Sequence, residues 1–283
     1  LCGLVIVGFG TSMPELVVSL DAAFSGQPDI AIGNVVGSNI ANILLILGLC
    51  ALITPMAVSA ISLRRDAIVV VAAGVAFLLL SYNGYFTGVE GMLFIVALTG
   101  YLFWAYLTEK NSSLPSGQVH EAEAAEVTVI PKSMALSCIE IVAGLAILIF
   151  GSQVLLKGAV GIAVHLGVSE AMIALTLVAV GTSLPELTIS VIAALRKHAD
   201  VAVGNVLGSN IFNLLGILGV SSMVQPMEIK NRVAEFDQWV MVAVSILLYV
   251  FLYTGRKLGR IEGGCLLLGY IGYVAVSFLY FSS

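Results

Sequence analysis

The sequence predicts an all-α, polytopic membrane protein. It is built from two inverted-topology repeats of five helices each, with the first helix apparently missing and nine helices visible. Three observations support this prediction. The 283 residues are 59% hydrophobic and only 10% charged, with a mean hydropathy of +1.07. Nine long apolar runs follow one another, and the sequence aligns with itself at a shift of 171 residues.

The composition excludes several classes of protein. A soluble domain is about 45–50% apolar and about 25% charged, so this chain has too little charge to cover a soluble surface. A cytosolic enzyme and a secreted disulfide scaffold are therefore disfavoured. The net charge of -5 argues against a nucleic-acid partner. None of the four cysteines (Cys2, Cys50, Cys138 and Cys265) forms a CxxC pair, and we expect inert thiols and no cofactor.

The apolar runs define the predicted membrane spans, since a spanning helix needs about 20 mainly apolar residues. The runs are 1–24, 32–53, 66–82, 86–107, 134–164, 170–195, 201–223, 236–253 and 260–281. A polar stretch, 108–133, holds Glu109, Lys110, Glu121, Glu123 and Glu126 with Ser, Gly and Pro between them, and such a composition is typical of a flexible linker. It divides the chain into a first half, 1–107, and a second half, 134–283.

The basic residues predict the orientation of the spans. If the linker is cytoplasmic and every run crosses once, most Lys and Arg residues lie inside, including Arg64, Arg65 and Arg196. Only Lys230 and Arg232 then fall in an outside loop. This distribution follows the positive-inside rule, and it places the C-terminus outside.

The internal repeat aligns residues 8–48 with residues 179–219 without a gap, and about 23 of 41 positions are identical. The predicted orientation makes the copies antiparallel, a recurring plan of secondary transporters. The segment 134–164 precedes the second copy, and its counterpart would lie before Leu1. We therefore expect one further helix upstream.

The motif GTSxPE places an acid in the middle of an apolar run in both copies. Glu15 and Glu186 each have about ten mostly apolar residues on either side, where a charge costs several kcal/mol. Pro14 and Pro185 cannot donate to the main-chain carbonyls four residues earlier, which need another partner. A bound cation would satisfy both the acids and the carbonyls.

The second motif, GNxxGSNIxN, adds neutral oxygens. Ser38 and Asn42 share a helix face, as do Ser209 and Asn213. Helix packing through the neighbouring glycines is the alternative interpretation of this motif taken alone. Carboxylates, hydroxyls, amides and carbonyls suit calcium, sodium or potassium. Two carboxylates could balance one divalent cation or hold several monovalent ones.

The paired motifs resemble the alpha-1 and alpha-2 repeats of the cation/calcium antiporter superfamily, and prokaryotic sodium/calcium exchangers are most similar. The resemblance implies alternating access in a prokaryotic inner or plasma membrane, with sodium influx driving calcium extrusion. The implied partners are calcium and sodium ions and the lipid bilayer, with no obligate protein partner evident.

The resemblance also assigns roles by motif position. It implies that Glu15 and Glu186 bind calcium and sodium with the carbonyls of Thr11 and Thr182. The other implied ligands are the sodium-binding Ser12, Ser38, Ser183 and Ser209, the central amides Asn42 and Asn213, and the carbonyls of Ala179 and Gly8. Some relatives carry Asp at the position of Asn213, where it is tied to potassium, so Asn213 favours independence from potassium.

Three alternatives were weighed against this function. A proton/calcium antiporter would protonate the glutamates in the return step, and the sequence separates it poorly from a sodium-coupled one. A cation channel usually builds its site around an axis shared by subunits, whereas this chain contains its own two-fold pseudo-symmetry. An intramembrane enzyme is disfavoured because GxSxG and paired aspartates are absent.

Overall fold

Helices occupy every predicted span in the part of the chain that the computed structural model describes. The described residues are 8–57, 61–111, 134–165, 178–229, 232–254 and 257–281. The prediction of an all-α membrane protein is confirmed. Residues 1–7 and 170–177 of two predicted spans lie outside the described residues, as does most of the predicted linker.

The first repeat begins with a broken helix. Its elements are α1 (Gly8–Thr11), α2 (Met13–Phe24), α3 (Pro28–Ala41), a π-helical segment π1 (Asn42–Leu47), α4 (Gly48–Ile53), α5 (Ile61–Leu80) and α6 (Gly88–Asn111). Helix α5 begins five residues before the predicted run. Helix α6 continues four residues into the predicted linker.

The second repeat reproduces this order. Its elements are α7 (Met134–His165), α8 (Ala179–Thr182), α9 (Leu184–Leu195), α10 (Ala199–Ile211), π2 (Phe212–Leu218), α11 (Gly219–Val224), π3 (Val233–Asp237), α12 (Gln238–Thr254) and α13 (Arg260–Phe281). The segment π1 corresponds to π2, and α4 corresponds to α11. The segments π1 and π2 each fall inside one continuous spanning helix, and each begins at or beside a predicted ligand, Asn42 or Asn213.

Two short strand pairings join the repeats. Strand β1 (Met56–Ala57) pairs antiparallel with β4 (Lys257–Leu258), and β2 (Tyr85–Phe86) pairs antiparallel with β3 (Met227–Glu228). Each pairing links a loop of one half to a loop of the other half, so these two loops lie on the same side of the bundle. The arrangement predicted from the sequence, in which every apolar run crosses the membrane once, also places the two loops of each pair on the same side of the membrane.

The two longest buried helices form the centre of the bundle. Within an 18-residue apolar stretch of each span, 89% of the residues are buried in 199–224 and 78% in 28–53, but only 22% in 260–280. Five of the described helical segments are long and apolar enough to cross a membrane. Their apolar outer faces, together with the buried core, are those of a multi-pass integral membrane protein.

Two glycine contacts bring the outer helices against the core. Helix α13 contacts α4 where Gly263 meets Gly48, and α6 contacts α11 where Gly91 meets Gly219. A Cβ on Gly263 would lie 2.9 Å from the carbonyl oxygen of Gly48. These pairs occupy equivalent places in the two repeats, and both follow the π-helical segments directly.

A buried ion pair also recurs in both repeats. In the first, the Arg65 guanidinium contacts Asp66 at 2.7 Å, and the Tyr101 hydroxyl donates to Asp66 at 2.9 Å. In the second, Arg232 contacts Asp237 at 3.0 Å, and the Tyr273 hydroxyl donates to it at 2.9 Å. The aspartates are equivalent in the repeat and the arginines are not, so the same cluster is assembled from different chain positions.

Candidate cation-binding site

The break between α1 and α2 positions the first glutamate. Pro14 has no N–H to donate to Gly10, and the chain leaves helical geometry at Ser12 before α2 starts. The break between α8 and α9, at Ser183, repeats this geometry before Pro185. Glu15 and Glu186 therefore lie in the first turn of α2 and α9, and both are fully buried. Because of the break, Thr11 and Glu15 lie on two different helical segments.

Each glutamate is held by a serine of the opposite repeat. The Ser183 hydroxyl donates to Glu15 Oε1 at 2.9 Å, and the Ser12 hydroxyl donates to Glu186 Oε1 at 2.8 Å. Ser209 also donates to Glu186 Oε1, at 3.3 Å. Hydroxyl donors stabilise an ionised carboxylate. Each half of the site thus combines a glutamate of one repeat with a serine of the other repeat.

The carbonyls of Gly8 and Ala179 lie in the same cluster. Ser209 donates to the Gly8 oxygen at 3.2 Å, and Ser38 donates to the Ala179 oxygen at 3.4 Å. The hydroxyls of Thr11 and Thr182 each donate to the carbonyl three residues earlier, at 3.1 and 3.2 Å. A Cβ on Gly8 would lie 3.3 Å from the main-chain nitrogen of Ser209, so a glycine permits the close approach of α1 to α10.

The central asparagines differ from each other. Asn42 donates to Asn210 Oδ1 at 2.9 Å, and Asn210 donates to the carbonyl of Asn39 at 3.3 Å. Asn213 is fully buried, and neither of its side-chain polar atoms has a hydrogen-bond partner among the described residues. The structure thus brings all twelve predicted residues into one buried region, where Asn42 and Asn213 have different surroundings.

Several buried oxygens of this region have no hydrogen-bond partner within the described ranges. They are Glu15 Oε2, Glu186 Oε2, Asn42 Oδ1 and Asn213 Oδ1. A buried polar atom without a partner costs about 1–3 kcal/mol, and an unpaired carboxylate costs more. No group of three or more His, Cys, Asp and Glu side chains forms a metal cluster in the described residues. The arrangement therefore suits a hard cation held by two carboxylates and neutral oxygens.

Sequence reasoning missed two asparagines that support this region. Asn34 donates to the main-chain oxygen of Glu15 at 3.2 Å and to Ser19 at 2.9 Å. Asn205 donates to the main-chain oxygen of Glu186 at 3.3 Å and to Ser190 at 3.0 Å. The sequence did contain a signal for them, because an asparagine occurs at this equivalent position of both repeat copies, inside an apolar run.

The fold and the site together define a membrane transporter for hard cations, with one half-site in each inverted repeat. The family profile described as "Sodium/calcium exchanger protein" matches residues 1–107 and 136–279. The chain therefore belongs to the sodium/calcium exchanger family, a family of cation/calcium antiporters.

Individual relatives agree with this assignment. The chain is 39% identical to the putative antiporter CaxA of Alkalimonas amylolytica over 284 residues, covering 99% of this chain and 88% of CaxA. It is 32% identical to the sodium/calcium exchanger MaX1 of Methanosarcina acetivorans, covering 98% and 88% of the two chains. Among solved structures it resembles the sodium-calcium exchanger NCX_Mj, soaked with Na⁺ and Sr²⁺, with a TM-score of 0.80. The identity to NCX_Mj is 32%, with 96% of this chain and 85% of that chain covered.

Proposed function

We propose that this protein exchanges sodium for calcium across the membrane, with Glu15 and Glu186 as the charged ligands of a shared site. The observation that carries the proposal is the pair of fully buried carboxylates. Each has one oxygen held by a serine of the other repeat and one oxygen that has no hydrogen-bond partner among the described residues. A divalent cation between these oxygens would balance the charge of both side chains.

The remaining predicted residues complete the proposed ligand set. The hydroxyls of Ser12, Ser38, Ser183 and Ser209, the carbonyls of Gly8, Thr11, Ala179 and Thr182, and the amides of Asn42 and Asn213 offer neutral oxygens around the carboxylates. Sodium accepts such neutral oxygens as readily as calcium does. Several sodium ions would therefore replace one calcium ion at the same place.

Burial of the carboxylates explains why transport would be coupled. Moving two bare carboxylates through a dry, occluded state costs several kcal/mol per charge. Calcium or sodium lowers this cost by neutralising the site. Only loaded forms would then interconvert between the two sides, and an ion gradient in one direction would drive calcium in the other.

The test is calcium flux in proteoliposomes with an imposed sodium gradient, at fixed pH. We expect sodium-driven calcium uptake in the wild type and none in Glu15→Gln or Glu186→Gln, because the amide supplies no charge. Glu235→Gln makes the same chemical change at an exposed carboxylate outside the site and should leave the flux unchanged. Near-normal flux in a folded Glu15→Gln or Glu186→Gln variant would refute the assignment of the site.

The same vesicles distinguish sodium from proton coupling. Calcium uptake driven by a pH gradient without sodium would identify a proton/calcium antiporter and would refute the sodium-coupled proposal. For orientation we propose a cytoplasmic linker and an outside C-terminus, from the distribution of Lys and Arg. Labelling single cysteines in the linker from one side of sealed vesicles tests this orientation.

A further inference from the structure

Asn34 and Asn205 are not among the predicted cation ligands, but both make hydrogen bonds to residues of the site. Each asparagine is 2% exposed, and each uses both ends of its amide. The Asn34 amide nitrogen donates to the main-chain oxygen of Glu15, and its oxygen accepts from the Thr182 hydroxyl at 3.2 Å. The Asn205 oxygen accepts from the Thr11 hydroxyl at 3.5 Å.

Like the serine contacts, these contacts join a residue of one repeat to a residue of the other repeat. The turn Thr182–Ser183 of the second repeat touches Glu15 twice. Ser183 bonds to its carboxylate, and Thr182 bonds to the asparagine that holds its main chain. In the first repeat, Ser12 bonds to the Glu186 carboxylate, and the Thr11 hydroxyl lies 3.5 Å from Asn205 Oδ1 and 3.1 Å from the Gly8 carbonyl oxygen, the nearer acceptor for its single proton.

From this geometry we propose that Asn34 and Asn205 are positioning residues, which fix the two glutamates and couple the geometry of one half-site to that of the other. The proposal rests on the proposed cation site. A carboxamide is suited to this place because it donates to a carbonyl and accepts from a hydroxyl at once. Removing groups that orient metal ligands typically weakens metal binding by about 10- to 100-fold.

The test measures calcium and sodium affinity of the full chain in detergent by titration calorimetry. We expect Asn34→Ala and Asn205→Ala to weaken calcium binding by about 10- to 100-fold. Ser245→Ala is the control at a buried side chain outside the site, because the Ser245 hydroxyl donates to the Met241 carbonyl of its own helix at 2.7 Å. It also removes a buried polar group and should leave the calcium Kd unchanged.

A double-mutant cycle separates positioning from a general loss of packing. Thr182→Val keeps the size and the main-chain carbonyl of Thr182 but removes the hydroxyl. Its effect on the calcium Kd should be non-additive with Asn34→Ala and additive with Asn205→Ala, while Thr11→Val should show the reverse pattern. An unchanged Kd in Asn34→Ala, or equal coupling to both threonines, would overturn the proposal. Wild-type protein that binds neither ion would instead refute the proposed function.

Discussion

The contact between Gly263 and α4 makes the most direct prediction about the stability of the bundle. A Cβ placed on Gly263 would lie 2.7 Å from Ala51 Cβ, 2.9 Å from the Gly48 oxygen and 3.1 Å from the Leu52 nitrogen. Ordinary carbon contacts lie near 3.5–4.0 Å, so α13 would have to move away by roughly half an ångström or more. Two of these three atoms belong to the main chain and cannot rotate away.

The substitution Gly263→Ala should therefore destabilise the protein by about 1–3 kcal/mol, the usual cost of overpacking. Gly272→Ala is the matched control in the same helix, because a Cβ there would meet nothing within 4 Å. Combining Gly263→Ala with Ala51→Gly removes one of the three close contacts and should restore only part of the loss. The measurement is thermal unfolding in detergent. Equal Tm values for Gly263→Ala and Gly272→Ala would refute the close crossing.

Three further predictions follow from the site and the ion pairs. Calcium flux should be unchanged when potassium is replaced by choline at constant ionic strength, because Asn213 carries no charge; a requirement for potassium would contradict this. Calcium at 100 times its Kd should stabilise the wild type by about 2.7 kcal/mol in thermal unfolding, and this gain should be lost in Glu15→Gln. Asp237→Asn removes the charge paired with buried Arg232 and should cost about 3–5 kcal/mol, whereas Tyr273→Phe, which removes the hydrogen bonds of its hydroxyl with Asp237 and Arg232, should cost about 2 kcal/mol.

The sequence predicted the parts of the fold that depend on local patterns. Runs of apolar residues predicted the spans, and Pro14 and Pro185 predicted the disturbed helices before the glutamates. The π-helical segments could not be predicted, because π1 and π2 have no glycine or proline in common that marks their start. They depend on how α3 and α10 pack against the rest of the bundle.

The sequence predicted which residues form the site, but not which of them contact each other. The repeat singled out Glu15 and Glu186, but the sequence did not indicate which serine would contact which glutamate. The observed partners, Ser183 and Ser12, come from the opposite repeat, 168 and 174 residues away. Long-range pairs of this kind are set by how the two repeats face each other, and a single sequence contains no local signal for that.

The exchange of serines between the two glutamates has a consequence for the ancestry of the molecule. A chain with one repeat would contain a glutamate and a serine, yet its own serine would face away from its own glutamate. Such a half-length ancestor could assemble the site only by pairing with a second copy inserted upside down in the same membrane. Fusion of the two copies would then have freed each half to diverge, as the equivalent repeat positions Ala41 and Phe212 have done.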